Sequence, residues 1–408
     1  MADKIALMSS PGASRKLGIR FDFAEAILGI ACGLAFTTAF AYCIQIPLHP
    51  VGTRDYIVYW ATGKLLLHHA NPYNPTLIGI LEHSAGLTVP GSYYMRNPPW
   101  GLPLALLPAL FGARAAAVLW TLMLLGVLLV AVRAVWPAVG VPNNRLALLG
   151  YLFPPALNCV ISGQTSLFLL LGLALFLRLH KSRPFWAGAS VWFWTLKPHV
   201  LLPFALVWLA WVLLTRAWRM LAGSVAAMAV SCLLTECLDP RAWMQYLHWS
   251  RNSGITNQKI PCLGVALRQL IHPASFWITF IPLLVGSAWA LFWFARHRRH
   301  WNWIEHGSAL VLVSIFVAPY CWIWDHSVAI PALLFAVCRT TSRWPLTLLA
   351  LAYIVIDLQE IFGVAPHSWL YLWPGFFWLA WYLLARARAT PSPAAWPAEN
   401  NPVLPALG

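Results

Sequence analysis

Charge is scarce in this chain. Of its 408 residues only 10% are Asp, Glu, Lys or Arg, and the acids number 12. A soluble domain carries roughly 25% charged residues, so this chain is too poor in charge to cover a surface in water. Nucleotide-binding signatures are missing as well. There is no Walker loop and no Gly-rich turn between a strand and a helix, which removes the common phosphate cradles. The eight cysteines (Cys32, Cys43, Cys159, Cys232, Cys237, Cys262, Cys321 and Cys338) stand singly, most of them inside apolar runs. Without a Cys-x-x-Cys spacing they argue against a metal or disulfide framework and suit the role of small apolar side chains.

Apolar residues make up 60% of the chain, and the mean hydropathy is +0.68. A hydrocarbon core about 30 Å thick takes roughly 20 residues of helix to cross, and backbone polar groups cannot go unpaired in lipid. The reading is an all-α integral membrane protein, a polytopic bundle with about 11 to 13 membrane segments and juxtamembrane helices outside. The net charge of +15 points to topology rather than to nucleic acid, because the basic residues sit in short loops between apolar runs. Arg178, Lys181 and Arg183 form one cluster, and Arg216 with Arg219 another. Arg296, Arg298 and Arg299 follow, then Arg339 with Arg343, and finally Arg386 with Arg388. Placing these in the cytoplasm puts the intervening turns outside a cytoplasmic (inner) membrane.

The predicted organisation has a cytoplasmic lead over residues 1–22 and one membrane domain over 23–388. Residues 389–408 form a disordered Pro-rich cytoplasmic tail. The run from Ala24 to Ile46 is too long for a signal peptide and reads as the first crossing. Two larger outer loops span 48–97 and 239–272. Within the first, Tyr56, Tyr59, Trp60, Gly63, Leu66 and Leu67 recur at spacings of three and four. That pattern predicts an amphipathic helix over 54–69 lying on the membrane surface. Between 98 and 160, three apolar segments stand where an even number is needed, so one of them is expected to be re-entrant.

The unusual polar residues sort to the outer face: Asp55, Arg96, Asn158, Gln164, Lys197, His199, Arg251, Asp325, His326 and His367. A single outward site would produce that sorting. Asp55 stands out because a carboxylate beside the bilayer is costly unless paired or used. Each residue also has a plainer reading. Asp55 is a preferred residue for capping a helix that begins at Tyr56, and Lys197 could snorkel from a helix end. Gly163-Gln164 could simply start a helix, and Asp325 and His326 could pair with each other or with a buried arginine. A few tryptophans near the outer face, such as Trp60, Trp100 and Trp322, could stack on a sugar.

Several short motifs, in order, carry a family likeness. They are Asp55-Tyr56-x-x-Tyr59, Asn71-Pro72-Tyr73, Tyr94-x-x-Asn97-Pro98-Pro99, Ser162-Gly163-Gln164, Leu196-Lys197-Pro198, and Pro319-Tyr320 followed by Asp325. Over about residues 20–385 the chain resembles glycosyltransferase family 87, a branch of the GT-C superfamily of multi-pass enzymes that use polyprenyl-phosphate sugars. The resemblance implies transfer of a hexose, mannose by family precedent, from a polyprenyl-phosphate donor to a lipid or glycan acceptor. It implies inversion at the anomeric carbon, Asp55 as general base, and no cofactor or obligatory metal. The acids on the outer face are in any case few for an oxygen cage around a cation.

Physical chemistry fills in the rest of that expectation. The leaving phosphate needs fixed cations or donors as its charge develops, for which Arg96, Lys197, His199 and Arg251 are the candidates. Tyr59, Gln164, Asp325 and His326 complete the expected substrate-binding set. The competing reading is a transporter or flippase for a lipid or sugar conjugate, kept open by Pro198, Pro203, Pro282 and Pro331 within apolar runs. Transporters usually carry matched repeats with polar residues near the midplane, and neither pattern is present.

Overall fold

The structure is a computed structural model that describes residues 23–45, 54–88, 90–139, 145–253, 258–340 and 342–387. The expected lead over 1–22, the tail over 389–408, Arg388 and the start of the first outer loop fall outside the described residues. Among the described residues the regular elements are all helices, α and 3₁₀. Five of them are long and apolar enough to cross a membrane: Ala24–Gln45, Ala113–Ala138, Trp218–Leu238, Phe276–His300 and Arg343–Ile361. Shorter apolar helices, Leu148–Ser162, Ser166–Leu179, Leu202–Leu214, Glu305–Val317 and Ile323–Val337, pass between them. One apolar core runs from Ala31 to Ala385.

The passes alternate between two ends. Gln45, Ile161, Ser162, Gln164, Leu196, Lys197, Tyr320, Trp322, Glu360 and Pro366 all reach one large cavity. The basic clusters around Arg178, Arg216, Arg298 and Arg339 lie at the opposite turns of the same passes. Arg386 donates to Glu305 at that far end, 2.5 Å away, tying the last helix to the start of helix Glu305–Val317. The segment that upset the parity is Pro99–Ala109. It divides into a 3₁₀ turn, Pro99–Ala105, and a single α-turn, Leu106–Ala109. At about 2.0 and 1.5 Å of rise per residue these span roughly 20 Å, too short to cross.

Helix Tyr56–Leu67 corrects an expectation. The spacing foretold the helix, but not its setting: ten of its twelve residues are buried, so it does not lie on a membrane surface. Its sequence, YIVYWATGKLLL, has apolar residues all round, and such a helix is stable only when packed on all sides. Gly63 allows the closest approach. A Cβ there would stand 1.9 Å from the Ala105 carbonyl oxygen, so the Pro99–Ala109 segment seats directly on this helix.

Candidate active site

The site is assembled where the loops at the cavity end meet helix Tyr56–Leu67. Arg54 precedes that helix and donates through its guanidinium to the carbonyls of Val160 and Ile161 and to Thr121 Oγ1. Those carbonyls are among the last of helix Pro154–Ser162, where the carbonyl ends of the helix gather negative charge, so a cation suits that end. The next residues, Ser162-Gly163-Gln164, pass against the start of helix Tyr56–Leu67. Gly163 takes φ +75, and a Cβ on it would stand 2.4 Å from Tyr56 Cβ. Both the left-handed turn and the close contact require glycine. Trp120 Nε1 donates to the Gly163 carbonyl at 2.8 Å, which fixes the turn.

A second lock sets Lys197. Tyr73 donates its hydroxyl to the Asn97 carbonyl at 2.9 Å, and Asn97 Nδ2 donates to the Leu196 carbonyl at 3.1 Å. Trp100 Nε1 reaches the Thr195 carbonyl at 3.1 Å. The Asn71-Pro72-Tyr73 and Asn97-Pro98-Pro99 motifs thus clamp the backbone just before Lys197.

These locks bring five side chains into one polar network. Gln164 Nε2 donates to Asp55 Oδ2 at 2.6 Å. Lys197 Nζ donates to Gln164 Oε1 at 3.2 Å, to Ser166 Oγ at 2.9 Å and to Asp325 Oδ1 at 2.6 Å. Asp325 also accepts from Ser166 Oγ at 2.5 Å and from the Trp322 backbone N–H at 2.8 Å. Asp325 therefore pairs with a lysine, not with His326 or an arginine. Asp55 precedes the helix without capping it, and its side chain turns to Gln164 instead. Burial raises its pKa above the usual aspartate value, opposed by the Gln164 hydrogen bond and by Lys197, Arg96 and Arg54. Burial pushes Lys197 down, but the Asp325 carboxylate outweighs it and holds the ammonium above the usual lysine value.

The cavity measures about 1140 Å³, above the few hundred to roughly 1,000 Å³ of drug-sized ligand pockets. Of the residues singled out in the sequence, Asp55, Tyr59, Arg96, Gln164, Lys197, His199 and His367 line it. Tyr59 is stacked on Trp120 with ring centroids 5.2 Å apart, and its hydroxyl lies 3.3 Å from Thr165 Oγ1. Arg96 donates to Gln258 Oε1 at 2.9 Å and to the Tyr320 hydroxyl. His199 stands edge-on to Tyr320; burial lowers its pKa to about 4, so it is neutral and not one of the expected cations.

Two of the expected residues are not brought together with the others. Arg251 ends the exposed face of helix Ala242–Asn252, away from the cavity lining. A positive charge on a segment at the cavity end does not by itself face inward. His326 is buried and accepts from Trp378 Nε1 at 3.0 Å, so it packs the last helix rather than meeting a ligand. Asp325 lies behind Lys197 and is fully buried. Among the tryptophans, Trp322 lines the cavity, whereas Trp60 and Trp100 are tied to backbone carbonyls. Residues not anticipated include Lys259, exposed on the cavity rim, Glu360 at the end of helix Arg343–Ile361, and Arg54. Arg54 was signalled only by its place beside Asp55.

The family model of glycosyltransferase family 87 matches residues 94–319, more than half of the chain, so this protein belongs to that family. It is a membrane glycosyltransferase, which decides against a transporter. The match takes in Arg96, Gln164, Lys197 and His199, and leaves Asp55 and Asp325 outside it. No curated protein and no solved structure matches the chain.

Proposed function

We propose that this transferase moves a hexose, mannose by the family resemblance, from a polyprenyl-phosphate donor to a lipid or glycan acceptor, with Asp55 as general base. The observation that carries the reading is a carboxylate on the wall of a large cavity that accepts one hydrogen bond among the described residues, from Gln164. A half-buried acid with a raised pKa is a better proton acceptor than an ordinary aspartate. Asp55 takes the proton of the acceptor hydroxyl as that oxygen bonds to the anomeric carbon. The bond from that carbon to the phosphate oxygen breaks on the other face, and its electron pair leaves with the lipid phosphate. The anomeric configuration inverts.

Arg96 and Lys259 are the cations suited to the departing phosphate. Lys197 has its three N–H donors engaged within the protein, and Arg54 is committed to the carbonyls of helix Pro154–Ser162. No metal enters this reading. The cavity lies at the end opposite the basic turns, which by the positive-inside rule supports an extracytoplasmic site.

The test is transfer by the purified protein from radiolabelled polyprenyl-phosphate hexoses to membrane lipid extracts. Asp55→Asn is expected to bind donor normally while transfer falls about 10²- to 10⁴-fold, the usual contribution of a general base. Activity of the wild type should be lost, as pH falls, at a higher pH than an unperturbed aspartate would give, because Asp55 must be deprotonated. Equal transfer by the two proteins would remove Asp55 from the mechanism.

A further inference from the structure

Gln164 is expected from sequence to bind substrate, yet both ends of its amide are already used. Its Oε1 accepts from Lys197 and its Nε2 donates to Asp55. The amide has one way to sit. An ammonium can only donate, and Lys197 is anchored to Asp325 and Ser166, so the amide oxygen must face Lys197. The N–H is then left to face Asp55. Asp325 in turn is anchored by the Trp322 backbone N–H and by Ser166.

We infer that Gln164 is a positioning residue. Resting on the base assignment above, it fixes one oxygen of Asp55 and leaves the other toward the acceptor, while the Asp325–Lys197 pair acts through it to set the amide. The chain runs from Asp325 to Lys197, Gln164 and Asp55, with Ser166 bracing its inner end. A carboxylate held at one oxygen by a charge-assisted bond keeps a defined direction for its free lone pairs, which is what proton abstraction from a bound hydroxyl needs. The other charged or titratable groups that face Asp55 are Arg54, Arg96, Lys197, Tyr59, Tyr93 and Glu82. None of these replaces the amide N–H on Oδ2.

Two variants separate positioning from simple packing. Gln164→Ala removes both hydrogen bonds. Gln164→Glu keeps the shape and the bond from Lys197 but puts an oxygen where the donor to Asp55 stood. A packing role predicts that glutamate is the milder change. The positioning role predicts that both lower kcat roughly tenfold or more, as for loss of a hydrogen bond to a charged group, with KM for donor little changed. It further predicts that in Gln164→Ala the acid limb of the pH profile moves to higher pH, since the amide N–H favours the Asp55 carboxylate. If Gln164→Ala does not accumulate, the isosteric glutamate variant decides. Near-wild-type kcat in Gln164→Glu, or an unmoved acid limb in Gln164→Ala, overturns the inference. Asp55→Asn is assayed alongside: if it is inactive while the Gln164 variants behave as wild type, only the positioning role fails. Activity in Asp55→Asn would instead bring down the base assignment itself.

Discussion

Two polar groups share one cavity and differ in how much hydrogen-bonding capacity they have left. Around Lys197 each donor is taken: its three partners are all protein atoms, and the paired Asp325 is sealed from solvent. Around Arg96 the arrangement is looser. Its guanidinium touches Gln258 and Tyr320, while the neighbouring Lys259 is exposed at the cavity rim. A guanidinium has five donors, so capacity remains there for an anion. Saturated charges orient other groups, and unsaturated ones can take a ligand. By that rule the lysine that looked like a phosphate anchor belongs to the scaffold.

The contrast can be broken most sharply at Lys197. In Lys197→Met the Asp325 carboxylate is left buried without its partner, and losses of about 3–5 kcal/mol accompany such a change. Thermal unfolding in detergent should fall markedly and transfer should vanish with it; an unaltered melting curve would show that the pair contributes nothing to the fold. A smaller and different effect is expected at the looser group. Arg96→Ala or Lys259→Ala should leave stability nearly unchanged, raise KM for the proposed polyprenyl-phosphate donor about tenfold, and weaken its salt dependence, as removal of a cation from a solvent-reached anion site does. Smallest of all, Arg251→Ala should alter transfer by less than about twofold, in keeping with a surface substitution. A large loss there would mean that the loop carrying Arg251 folds over the ligand.

Much of this was legible in the sequence, and the exceptions have physical causes. The alternation of the passes between two ends followed from where Lys and Arg recur, because that pattern depends only on loop position. Helix Tyr56–Leu67 was visible as a period, but periodicity does not say what covers each face, and the seat offered by Ala105, with Trp120 and Gly163 on other sides, buries it. The ion pair was invisible because Lys197 and Asp325 stand 128 residues apart and no local pattern links them. The neutrality of His199 likewise depends on burial, which a loop position two residues from Lys197 does not disclose. Gly163 was readable as part of a motif, yet its reason is a contact with Tyr56 from a distant segment.

That contact leaves no slack between two stretches of chain that together present Asp55 and Gln164. Because even a methyl group cannot fit between Gly163 and Tyr56, Asp55 and its amide partner Gln164 are held tightly against each other. On the proposed mechanism, divergence toward new acceptors is thereby steered away from this pair and onto the rim around Gln258 and Lys259, where side chains can change without dislodging the proposed proton acceptor.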